Sequence, residues 1–91
     1  MTATQYEVAV ETQEAYTSEN AEDAVAGLVA YAPIAVGSPG TNLTIVIRLT
    51  ASGLAQAAAD AERAVADLAG MRALALEVSA AGHGLARAEA I

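Results

Sequence analysis

Three stretches of this chain alternate apolar and polar residues with a period of two, and two others repeat with helical spacing. Across residues 5–11, Tyr6, Val8 and Val10 fall on one side of a strand and Gln5, Glu7, Ala9 and Glu11 on the other. Residues 12–17 read as a polar connector. Ser18 or Asn20 can then cap a helix, and Glu19, Glu22 and Asp23 load its start with negative charge, where the helix dipole favours it. Ala21, Ala24, Val25, Leu28, Val29 and Ala32 form one apolar stripe along that helix. Pro33 restricts the residue before it and stops the helix there.

Residues 34–36 are too few to stand alone, but they precede Gly37-Ser38-Pro39-Gly40-Thr41-Asn42, in which Pro39-Gly40 suits the centre of a type II turn. Residues 43–50 alternate most clearly, with Leu43, Ile45, Ile47 and Leu49 facing Thr44, Val46, Arg48 and Thr50 across the strand. The two segments read as a hairpin, its short proline-led strand lying at a sheet edge. A second helix begins after Thr50 or Ser52, with Leu54, Ala58, Ala61, Val65 and Leu68 as its buried stripe. Gln56, Asp60, Arg63 and Asp67 line the opposite side, where weak ion pairs at three- and four-residue spacing are available. Gly70 occupies the place of a C-terminal stop. Leu74, Leu76 and Val78 then alternate with Ala73, Ala75, Glu77 and Ser79 as a last strand.

The order strand, helix, strand, tight turn, strand, helix, strand predicts an α+β protein of the ferredoxin-like βαββαβ type: a four-stranded antiparallel sheet with two helices on one face. The strongest strands by pattern, the first and third, are the central neighbours in that arrangement. Residues 1–80 form one domain in this reading, and residues 81–91 a C-terminal tail.

Composition changes the picture in two ways. Alanine supplies 25 of the 91 residues, and Phe and Trp are absent, so the core is built from small side chains. Burial returns roughly 25 cal/mol per Å² of apolar area, which leaves a lean core that dimerisation would help. The balance of 11 acids against 4 arginines, with no lysine, gives a formal charge of −7. So few cations cannot release the counterions of a nucleic acid, and the same deficit argues against an anionic membrane surface. The start of the chain lacks the basic and apolar regions of a signal peptide, and no stretch approaches the length of a membrane span, so the expectation is a cytoplasmic protein.

Candidate chemistry is sparse. Cysteine is absent, which removes disulfides, thiolate nucleophiles and thiolate metal sites. His83, the only histidine, lies between two glycines with no acid or hydroxyl at a useful spacing. The segment Gly37-Ser38-Pro39-Gly40-Thr41 lacks the lysine and following helix of a phosphate loop. On the sheet face away from the helices, Glu7, Glu11 and Glu77 are expected to surround Arg48, as cross-strand pairing or as a site for a partner's cation. Tyr16 and Tyr31 are expected to pack at the rim. No catalytic group, cofactor site or metal site is expected.

Family patterns that share this topology can be tested against these residues. Positions 7, 9, 46 and 48 hold Glu7, Ala9, Val46 and Arg48, not the stacking aromatics of RNA-recognition motifs. Residues 12–17 contain neither the Cys-x-x-Cys of heavy-metal domains nor the arginine of acylphosphatases. ACT domains share only the topology. Tyr6-Glu7-Val8-Ala9-Val10-Glu11-Thr12, Gly37-Ser38-Pro39-Gly40 and Leu43-Thr44-Ile45-Val46-Ile47 resemble small uncharacterised ferredoxin-like domains of actinobacteria and actinophages. In some of those a DNA-binding helix-turn-helix follows the sandwich, so the resemblance implies a partner-binding half of a larger regulator or a truncated form.

The resulting expectation is a non-enzymatic interaction or oligomerisation domain that binds a protein partner or itself. Its candidate interface residues are Glu7, Glu11, Val46, Arg48, Leu74, Leu76, Glu77 and Val78, on the open sheet face and along the last strand. That strand is the better candidate edge, having no proline and one charge. Two alternatives stand beside it: a regulatory module of a transcription or phage-control system that uses its acidic surface, and a small-ligand sensor of the ACT kind with a pocket near residues 12–18.

Overall fold

The strand patterns and the two helices come together in a four-stranded antiparallel sheet. The computed structural model describes residues 3–80. Its elements run β1 (Thr4–Ala15), α1 (Ser18–Gly27), a 3-10 turn (Val29–Tyr31), β2 (Ile34–Val36), β3 (Asn42–Ala51), α2 (Leu54–Ala69) and β4 (Ala73–Ala80). The sheet order is β2-β3-β1-β4, every pair antiparallel, which is consistent with a ferredoxin-like arrangement. The tail beyond residue 80, with His83, lies outside the described residues.

β1 and β3 form the centre. Their register runs without a break from Thr4 opposite Ala51 to Glu11 opposite Thr44. Paired residues share a face, so Tyr6, Val8 and Val10 join Leu43, Ile45, Ile47 and Leu49 on one side, all buried. Leu28 from the end of α1 and Ala24, Ala57, Ala61, Ala64 and Val65 from the helices close over them.

β1 is longer than its alternation suggests, because residues 12–15, read as a connector, continue the strand in irregular form. Between Glu11 and Ala15, β1 advances four residues while β3 advances only two, from Thr44 to Asn42. Thr12 sits at this break and is fully buried. Its hydroxyl donates to the Leu43 carbonyl at 2.8 Å and accepts from the Glu14 N–H at 3.2 Å. A side-chain oxygen thus satisfies backbone groups that the broken ladder leaves over, which is why a polar residue is tolerated at this depth.

The caps and helix faces also differ from the sequence reading. Thr17, and neither Ser18 nor Asn20, caps α1 by accepting the Asn20 backbone N–H at 3.0 Å, while the Asn20 side-chain amide donates to the Ala15 carbonyl. Only Ala24 and Leu28 of the expected stripe are buried; Val25 and Val29 are exposed. In α2 the buried face is Ala57, Ala61, Ala64 and Val65, rotated so that Leu54 and Leu68 are exposed. Gly70 ends α2 as expected, at φ 69°, and Met71 then turns into the core.

α1 ends where it meets α2. A Cβ added to Gly27 would stand 2.2 Å from the Leu68 carbonyl oxygen, so only glycine permits this approach. Helix propensity alone would make Gly27→Ala stabilising by up to about 1 kcal/mol. The clash with backbone reverses that sign, and we expect a loss of about 1–3 kcal/mol in urea unfolding. At Gly53, the N-cap of α2, an added Cβ meets nothing within 4 Å, so Gly53→Ala should cost only the weaker capping of alanine, about 0.5–1 kcal/mol.

Candidate functional site: the open sheet face and the β4 edge

The side of the sheet opposite the helices is built from the residues that alternate with the core. Register sets them in rows. One row runs Ile34, Val46, Ala9, Glu77; the next runs Val36, Thr44, Glu11, Ala75; a third runs Arg48, Glu7, Ser79. The β2–β3 half of this face is therefore largely apolar, with Ile34 59% and Val36 49% exposed. The β1–β4 half sets each carboxylate opposite a small residue: Glu7 faces Ser79, Glu77 faces Ala9, and Glu11 faces Ala75. Like charges directly opposite would be destabilising, and this alternation keeps the three acids on diagonals about 7–8 Å apart.

Ala9 lies at the middle of the face, between Val46 and Glu77. Its small side chain leaves a hollow of about 400 Å³ lined by Glu7, Ala9, Val46, Glu77, Val78 and Ser79. Arg48 and Glu7 are paired across β3 and β1 at 3.4 Å, with side chains 53% and 40% exposed. Glu11 and Glu77 do not join Arg48, since register puts Glu11 beside Thr44 and Glu77 beside Ala9. The expected ring of three acids around Arg48 is thus a single pair, the only ion pair within 4 Å among the described residues.

The candidate interface residues divide between two faces. Glu7, Glu11, Val46, Arg48 and Glu77 share the open face. Leu76 and Val78 pair with Val10 and Val8 and are half-buried against the core cluster. Leu74 belongs to neither ladder row. Between Ala75 opposite Glu11 and Ala73 opposite Thr12, β4 carries one extra residue, and Leu74 is that residue, 52% exposed. The expected alternation Leu74, Leu76, Val78 is broken at its first member for this reason. Ile34 and Val36 also stand on this face, and their one sequence signal is the i, i+2 repeat after Pro33.

The edges of the sheet are unequal. β2 is a three-residue strand, short enough to be a poor template for pairing. β4 has eight residues, a neighbour on one side only among the described residues, no proline and one charge, Glu77. A second hollow, of about 410 Å³, lies between Tyr31, Leu49 and α2, lined on the helix by Asp60, Arg63 and Asp67, and Arg63 forms no ion pair within 4 Å among the described residues. No group of three or more His, Cys, Asp or Glu suited to a metal ion forms among the described residues. No described helix is long and apolar enough to cross a membrane.

Compared with family models, with curated proteins and with solved structures, the chain matches none.

The exposure of the Glu7–Arg48 pair limits its contribution. Glu7→Gln and Arg48→Ala should each cost less than about 1 kcal/mol in urea unfolding at low salt. The difference from the parent should shrink further between about 50 and about 500 mM salt, as screening shortens to a few ångströms.

Proposed function

We propose that this ferredoxin-like domain is a non-enzymatic interaction module that associates with a protein partner or a second copy of itself. The observation that carries the reading is the outer edge of β4, which has no neighbouring strand among the described residues. A row of unpaired backbone N–H and C=O groups is a template for another strand. Natural edges of this length are commonly blunted by lysine, proline or a cover. Among the described residues β4 has only the bulge at Leu74 and the single charge of Glu77, which leaves Ala75 to Ala80 as a regular edge.

The lean core supports the same reading. Exposed Leu74 and half-buried Leu76 and Val78 lie along that edge, so a paired strand would remove further apolar surface from water. Antiparallel pairing of two β4 strands would extend the sheet to both domains with one symmetric contact.

Light scattering of the full chain at micromolar concentration tests this. A dimer is expected, and Leu74→Lys should raise its dissociation constant at least about tenfold, a change of 1.4 kcal/mol. The unfolding midpoint extrapolated to low protein concentration should stay unchanged, since Leu74 contributes little to the core. A strict monomer at all concentrations would count against self-association.

A further inference from the structure

We infer that the open sheet face receives a basic amphipathic helix of a partner protein, apolar along the side that meets β2 and β3 and rich in arginine or lysine along the side that meets β1 and β4. The inference rests on the reading of this domain as an interaction module and assigns the face a partner distinct from the strand that would pair with β4.

Three features select that occupant. The first is the division of the face. Ile34, Val36 and Val46 are contiguous by register and form an apolar strip along one half, while the other half carries Glu7, Glu77 and Glu11 on diagonals. An amphipathic helix laid along the strands would meet the strip with its apolar stripe and the carboxylates with one flank.

The second is relief. Ala9 lowers the centre of the sheet between Val46 and Glu77, and the resulting hollow of about 400 Å³ lets side chains of an incoming helix sit below the level of the surrounding residues. Long cations suit the positions beside it, because their aliphatic stems can lie over Ala9 and Val46 while their heads reach Glu7 and Glu77.

The third is charge. Arg48 is the only cation among these rows, and Glu7 already holds it at 3.4 Å. A second copy packed face to face would set the three carboxylates against their own kind, in a chain that carries a formal −7. Charge complementarity therefore favours a basic partner over self-packing on this face.

The chain has no tryptophan, so a tryptophan in the probe reports binding without background. The probe is a synthetic helix of about 18 residues, with leucines at i, i+3, i+4 and i+7 and arginines along one flank. Its control is a scrambled peptide of equal composition. We expect the amphipathic peptide to bind at least about tenfold more tightly than the scrambled one. The paired variants Glu11→Gln with Glu77→Gln, and Ile34→Ser with Val36→Ser, should each weaken it by at least about tenfold. Amide chemical-shift changes should cluster at Ala9, Val46 and Glu77. Equal binding of the scrambled peptide, or shifts clustered on α1 and α2, would overturn the inference. A β4-linked dimer that ignores the peptide would overturn it too, while leaving the interaction reading intact. A protein that is strictly monomeric and takes no peptide would count against both.

Discussion

The unbroken register between β1 and β3 is the constraint on which the rest of the structure depends. It pairs eight consecutive residues of each strand, from Thr4 with Ala51 to Glu11 with Thr44. A slip of one residue would turn one strand over relative to the other, sending either Val8 and Val10 or Ile45 and Ile47 out to water and bringing either Glu7 and Glu11 or Arg48 into the core. The penalty for burying those charges makes the observed register the one compact solution. With that pairing settled, β2 and β4 add at either side, and all four strands offer a single apolar face for the helices to cover.

Bulk and closeness are divided between the layers. The sheet supplies leucine, isoleucine and valine, whereas the helices contribute mostly alanine at their contact positions. Small helix residues let α1 and α2 approach each other until the Gly27 backbone meets the Leu68 carbonyl. The same economy leaves larger apolar side chains elsewhere on the surface, including Ile34, Val36 and Leu74. What the core does not use stays exposed, on the face and beside the edge that no described element covers.

Much of the fold is legible in the residues because strand alternation in a half-buried sheet has a single meaning. The side chains at 43–50 and 6–10 fall on the faces that their spacing predicts, and Gly70 and Pro39-Gly40 stand at the turns their chemistry suits. The rotation of α2 is not legible. Alanine occupies so many of its positions that several stripes fit helical spacing equally, and the leucines mark the wrong one. The two bulges are invisible for a different reason. They depend on how strands of unequal spacing meet, with Thr12 repairing one break and Leu74 displaced at the other. For the same reason the Glu7–Arg48 pair could be read from alternation, but the separation of Glu11 and Glu77 from Arg48 needed the register.

Among the described residues β1 is the one strand flanked on both sides along most of its length, and this central position can be measured directly. Native-state hydrogen exchange, followed by residue through a urea series, separates amides that open locally from those that need global unfolding. The account predicts that Val8, Ala9 and Val10 of β1, with Ile45 of β3, exchange only through global unfolding, and that amides of β2 and α1 open at much lower cost. Protection in α2 or β4 that outlasts protection in β1 would contradict it.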